Sequence, residues 1–200
     1  MSCQHCGKPA VYKCTVCGKL LCPEHTKLKT TCPTHTATKT TQKYTITKAK
    51  TNKQKQTIQT LTKLFWGEPT QQTFNKNYTV AKLPAYIATT KNKTIGFISY
   101  ITQKNNILIV ALGIHPQHQN TGIAKKLIEK IETEAKQQQK QKLLVSTSND
   151  DLPALAFYQI QNFQIYQVKP NIIAKKHGTT KKGIGGIPIR DELRLQKTLK

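Results

Sequence analysis

Acid and arginine are what this 200-residue chain has least of. Nine carboxylates stand against 32 basic residues, only two of them arginine (Arg190 and Arg194), and the net charge is +23. That balance attracts polyanions such as RNA, DNA or a charged surface, but says nothing about fold. A composition biased towards Lys, Asn, Gln and Thr explains it equally well. Long apolar runs are also missing. The longest, Ile107 to Ile114, is far too short to cross a bilayer. The polar, cysteine-rich start does not resemble a cleavable leader, so the expectation is a cytoplasmic protein with no membrane partner. No cysteine follows Cys32, which confines whatever the six cysteines do to one place. The apolar share of 36% is low, so part of the length is expected to lie outside a packed core.

Composition separates three regions, expected as a module at 1–37, a basic flexible linker at 38–56 and a larger domain at 57–200. In the first, four ligand pairs recur with two residues between partners: Cys3/Cys6, Cys14/Cys17, Cys22/His25 and Cys32/His35. In a reducing compartment such a set suits metal rather than disulfides. Eight sulfur and imidazole donors make two closed tetrahedral sites, which points to two structural Zn²⁺ ions. The order of the pairs resembles that of B-box-type zinc fingers. The resemblance implies that Cys3, Cys6, Cys22 and His25 share one ion, and Cys14, Cys17, Cys32 and His35 the other. Such modules usually bind proteins, so this module and the basic stretch are candidate surfaces for a protein or RNA partner. His5, inside the first knuckle, reads as a surface residue. The stretch from His35 to Gln56 is rich in Thr, Lys and Gln and reads as solvated.

From about residue 57 strand and helix signals alternate, which predicts a mixed α/β (α+β) domain. Ile58, Leu61, Leu64 and Phe65 suit a short amphipathic helix. Tyr86 to Thr89 and Thr94 to Thr102 suit strands joined by a Lys-Asn-Lys turn. Ile107 to Ile114, apolar on both faces, suits a central strand. Ala124, Leu127, Ile128, Ile131 and Ala135 recur with helical spacing. Leu143 to Ser148 and Phe163 to Val168 read as strands, and between them a helix is capped by Asp150 or Asp151. Ile187 to Leu199 alternates apolar and polar as a final strand, with Asp191 on the apolar face. A carboxylate there needs a partner or a purpose. A buried pair that anchors the 169–186 loop would supply one.

Between the central strand and the strongest helix stands Gln119-Asn120-Thr121-Gly122-Ile123-Ala124-Lys125. Small residues at a helix N-terminus leave backbone N–H groups open to a pyrophosphate. This run resembles the acetyl-CoA-binding motif of the GNAT superfamily, and Leu143 to Phe163 (LLVSTSNDDLPALAFYQIQNF) resembles the later GNAT motif. The resemblance implies a twisted mixed sheet flanked by helices, and an acetyl-CoA-dependent N-acetyltransferase acting on an amine of a small molecule or protein. It implies that the backbone at Leu112 and Ile114 pairs with the pantetheine arm, with an N–H near Leu112 polarising the thioester. Asn149 matches a cofactor contact. Tyr158 matches the tyrosine that protonates the departing thiolate, its alternative being a core aromatic. The run Ile107 to Ile114 offers no carboxylate as general base, and His115 and His118 read as surface residues. In the family the final strands lie beside the acceptor channel, so the resemblance implies Asp191 as the catalytic side chain that holds a cationic amine or takes its proton. The other reading is a non-catalytic adaptor built on this scaffold.

Overall fold

The computed structural model describes residues 2, 4, 6, 7, 10, 12, 13, 20–22, 43–178 and 180–199. The strands are β1 Tyr12–Lys13, β2 Leu20–Leu21, β3 Thr45–Lys48, β4 Thr70–Thr73, β5 Lys76–Thr79, β6 Ala85–Thr90, β7 Lys93–Thr102, β8 Asn106–Ile114, β9 Lys142–Ser148, β10 Gln164–Lys169, β11 Lys181–Lys182, β12 Pro188–Ile189 and β13 Glu192–Thr198. The helices are α1 Asn52–Trp66, α2 Ile123–Gln137, α3 Leu152–Ile160 and α4 Ile172–His177. Seven strands form one mixed sheet in the order β10-β13-β9-β8-β7-β6-β3, the mixed α+β architecture expected. The chain divides into two compact units, one of residues 39–146 and 196–200, the other of 1–38 and 147–195.

In the first unit β6, β7 and β8 are consecutive antiparallel neighbours, whereas β8 and β9 run parallel. Ile58 and Leu61 of α1 pack with Val80, Ala85, Ile87, Phe97 and Ala111 in one buried cluster, and Phe65 adds its ring to it. Successive strand residues face opposite ways, so Tyr86, next to Ile87, points to the other side. There its hydroxyl donates to Glu134 of α2 at 2.7 Å. The buried residues of α2 are Ile123, Leu127, Ile128, Ile131, Glu134 and Ala135; the helical spacing is as expected, but Ile123 opens the stripe in place of the half-buried Ala124.

The stretch 38–56 is not all linker. Thr45–Lys48 pairs antiparallel with β6, and α1 begins at Asn52. Its start has a physical cause: Thr51 accepts from the Gln54 N–H, and the Gln54 side chain accepts from the Thr51 N–H, a reciprocal capping box. Gly67 in the left-handed region ends the helix. The hairpin β4–β5 went unpredicted because Phe74 and Asn75 make its turn with φ of 51° and 60°, and Phe is a rare choice there.

The second unit corrects the final strand. Ile187 to Leu199 is not continuous, since β12 ends at Ile189 and β13 begins at Glu192. Glu192 and Arg194, at polar positions of that alternation, are both buried and paired at 2.8 Å. Arg194 also donates to Gln167 of β10 at 3.0 Å. Inside the stretch read as a loop, 172–177 is helical.

Candidate active site

The ladder between β8 and β9 spans only Asn106, Ile107 and Leu108 against Lys142, Leu143 and Leu144. Opposite β7, the register shifts so that Ser99 faces Ala111 and Tyr100 faces Ile109. Val110 is therefore an extra residue, a bulge that bends the strand. Beyond it, the His115 N–H bonds to the Ile95 carbonyl at 2.8 Å. Backbone direction alternates along a strand, so Gly113 and Ala111 also turn towards β7. Leu112 and Ile114 turn their N–H and C=O groups to the opposite edge, where the β9 ladder has already stopped. The Ile114 carbonyl accepts from Gln119 Nε2 at 3.1 Å. Leu112 and Ile114, expected to offer backbone to an extended ligand, thus carry that open edge.

A short 3₁₀ turn, Pro116–His118, follows the strand. Thr121 Oγ1 donates to the His118 carbonyl at 2.6 Å, closing the loop. Asn120 and Gly122 both adopt positive φ, 62° and 84°. Gly122 is the N-cap of α2, and no side chain caps that end. The first turn carries no acidic residue. The Lys126 N–H is bonded to the Gly122 carbonyl at 3.1 Å. The preceding amides, of Ile123, Ala124 and Lys125, lie in the turn whose N–H groups have no helical acceptor. A Cβ built on Gly122 would meet nothing within 4 Å. All seven residues of the expected phosphate turn, Gln119 to Lys125, are therefore gathered in one strand-turn-helix unit. A strand edge leading into an uncapped helix start suits a ligand with an amide-bearing arm and a pyrophosphate.

Aromatic side chains pack beside the end of β8. The ring of Phe65 lies directly against Gly113, where a Cβ would collide with it, and Trp66 comes within 3.3 Å of the same point. Phe65 stacks on Phe97 with centroids 6.3 Å apart. His115 and His118, expected at the surface, are half-buried with their rings 6.0 Å apart. Burial first, and the neighbouring His115 second, lower the pKa of His118.

The second unit holds the other expected residues. Tyr158, on α3, is 6% exposed and wedged edge-on between Phe157 and Phe163 at 5.3 and 5.5 Å. Burial, reinforced by the charge of Asp151, pushes its phenol well above the ordinary value. The cap of α3 is Asp151, which accepts from the Ala154 N–H at 3.1 Å. Asn149 does not hold its amide out for a ligand. Its Oδ1 accepts from the Arg190 and Asp191 N–H groups, both at 2.9 Å, and its Nδ2 donates to the Pro188 carbonyl at 2.9 Å. The amide clamps the β12–β13 segment.

Asp191 also has partners within the protein. Its Oδ1 accepts from the Asn171 N–H at 2.8 Å, and Oδ2 pairs with Arg190 Nε at 2.9 Å. Burial alone would raise its pKa, but the Asn171 N–H and then the Arg190 guanidinium outweigh it and lower the carboxyl below its usual range. These partners suit the loop-anchor alternative for Asp191. Asp150 was read from the sequence only as a possible cap. It is 6% exposed, and Oδ2 accepts from the Ile184 N–H at 3.3 Å. Gly183 lies so close that a Cβ there would strike the carboxylate. Only the pairing of a buried acid with the glycine-rich 183–186 turn could have signalled this second anchor.

Of the expected metal ligands, Cys3, Cys14, Cys17, His25, Cys32 and His35 lie outside the described residues. Cys6 and Cys22 lie within them, with their sulfurs 3.6 Å apart. That is too long for a disulfide, about 2.05 Å. It is close to the separation of about 3.8 Å for two thiolates on one tetrahedral zinc with 2.3 Å bonds. Among the described residues no group of three or more His, Cys, Asp or Glu could hold a metal ion. No helix among them is long and apolar enough to cross a membrane.

The chain belongs to the acetyltransferase (GNAT) family, whose model matches residues 55–163, and is thereby an acyltransferase. It is 29% identical over 139 residues to an uncharacterized protein of Bacillus subtilis (strain 168), YdhI, covering 67% of this chain and 86% of that one. Among solved structures it shares its fold with an IAA acetyltransferase from Bacillus cereus ATCC 14579. That match has a TM-score of 0.63 and 24% identity, and covers 78% of this chain and all of the other. A GNAT family acetyltransferase from Elizabethkingia anophelis with acetyl-CoA bound matches with a TM-score of 0.58 and 19% identity. It covers 78% of this chain and 98% of its own.

Proposed function

We propose that this enzyme transfers the acetyl group of acetyl-CoA to a primary amine by direct attack. One observation carries the reading: the open edge of β8 at Leu112 and Ile114 continues into the uncapped start of α2 at Gly122. The pyrophosphate would lie over Gln119 to Lys125, on amides at the positive end of the helix. The pantetheine amides would pair with the strand edge, and the Leu112 N–H would face the thioester oxygen as negative charge develops there. The amine nitrogen forms a bond to the acetyl carbon, the carbon–sulfur bond breaks, and the amine proton passes to water. In this proposal Tyr158 gives its proton to the leaving thiolate. Its raised pKa keeps the phenol protonated at neutral pH, the state a general acid requires.

The decisive experiment is calorimetric titration with acetyl-CoA, then release of free thiol on adding a panel of primary amines. Binding with amine-dependent thiol release is the expected result. A chain that binds acetyl-CoA but releases thiol to no amine would overturn the acceptor class.

The amino-terminal cysteines support a second, separate reading. We propose a two-zinc module with the ligand sets expected from the B-box resemblance, on the ground of the 3.6 Å between Cys6 and Cys22. It would serve as a docking element for a protein or RNA partner, stabilised by metal because it has so few apolar residues. Elemental analysis of the full chain should find two zinc ions per chain, and a chelator should remove both. A content of one or none sinks the eight-ligand set. No observation favours the non-catalytic adaptor.

A further inference from the structure

At the far end of α2 from Gly122, about 22 Å along a 15-residue helix, lies an open concavity of about 560 Å³. Lys136, Lys140 and Lys142 line it together with Gln139, Gln141 and the end of β13. Among the described residues the lining contains no carboxylate. Lys140 and Lys142 are half-buried and held in place by neutral oxygens. Lys140 Nζ donates to the Lys104 carbonyl at 3.1 Å, and Lys142 Nζ to Gln196 Oε1 at 3.1 Å. None of the three lysines makes an ion pair among the described residues. The carboxylates nearby on α2 are taken already, Glu132 by Lys197 and Glu134 by Lys48.

Partly desolvated cations without counter-charge are costly unless an anion arrives. Fixed in place, they also lose little side-chain entropy when it does. We infer that this groove binds the phosphate backbone of a nucleic acid. The lining contains no aromatic ring to stack a base and no arginine fork to read one. Contact is therefore with phosphates and is independent of sequence. A lipid surface fits less well. The site is concave, and the exposed large apolar side chains (Leu64, Trp66, Ile160, Ile165, Tyr166 and Val168) all lie outside its lining. The net charge of +23 brings the polyanion close, and the groove holds it.

The test is fluorescence anisotropy of the full chain with a labelled 16-nucleotide single-stranded RNA across a series of salt concentrations. Each phosphate contact contributes about 0.7 to the slope of log affinity against log salt. The variant K136Q/K140Q/K142Q should flatten the slope by about 2, a loss of about a hundredfold in affinity at 0.1 M salt. K53Q/K55Q/K63Q removes the same charge from exposed positions of α1 and should cost no more than about threefold. Should the triple variant melt early, K136Q alone, at an exposed position, should still flatten the slope by about 0.7. Equal losses in the two triple variants would reduce the effect to net charge and overturn the site. So would an unchanged slope, or equally tight and equally lysine-dependent binding of polyglutamate or phosphatidylserine vesicles. Acetyl transfer should be the same in all the variants.

Discussion

Replacing Gly122 with valine should weaken acetyl-CoA binding by about a hundredfold while leaving a folded enzyme. A hydrogen bond from an amide to a charged group contributes about 1.5–3 kcal/mol, and each 1.4 kcal/mol is a factor of about ten in affinity. A branched side chain at the head of α2 stands where the phosphates would approach the Ile123 to Lys125 amides, so more than one such bond is lost. Because a Cβ at this position meets no protein atom within 4 Å, packing does not suffer. The φ of 84° does add backbone strain, about 1–3 kcal/mol, which a domain stable by about 5–15 kcal/mol survives. Titration calorimetry and a melting curve read the two effects separately. Unaltered affinity in a folded Gly122→Val protein would remove the phosphate turn from this part of the chain.

Tyr158→Phe tests the other half of the chemistry. Loss of a general acid lowers kcat by about 10²–10⁴-fold, with little change in the affinity for acetyl-CoA. The ring keeps its place between Phe157 and Phe163, so the melting temperature should hardly move. The phenol's pKa is raised, so the wild-type rate should show no alkaline fall attributable to this group below about pH 10. A Phe variant as fast as the wild type would leave Tyr158 as a core aromatic only.

What the sequence disclosed and what it hid have a common physical basis. The stripe of α2 and the two-faced apolarity of β8 are local patterns, set by burial along one element. The run from Gln119 to Lys125 was readable because small residues before an amphipathic helix have a local reason to be there. β3 was not. Thr45–Lys48 is mostly exposed, and it is a strand because the edge of β6 and Glu134, 86 residues beyond Lys48, give it partners. The capping box at Thr51 and Gln54 was present in the letters but submerged in a Thr-, Lys- and Gln-rich stretch. For Asp191, chemistry said that a partner was needed without saying which one, and for Asn149 nothing local signalled the bonds it makes. Their partners come from distant segments, Asn171 for one and Pro188 to Asp191 for the other. The Glu192–Arg194 pair could have been found, since opposite charges two apart share one face of a strand.

The small strand β3 governs where this enzyme can be shortened. It is the outermost member of the sheet and covers the hydrogen-bonding edge of Ala85–Thr90. A chain begun at residue 57, where the apolar pattern starts, would bare that edge, and an uncovered strand edge recruits other chains. It would also strip the Lys48 ammonium from Glu134, which is 9% exposed and lies beside Tyr86 and Tyr100, leaving a buried carboxylate without its cation. Aggregation of such a fragment would therefore follow from a lost edge guard and an orphaned charge, with every residue of the phosphate turn still in place.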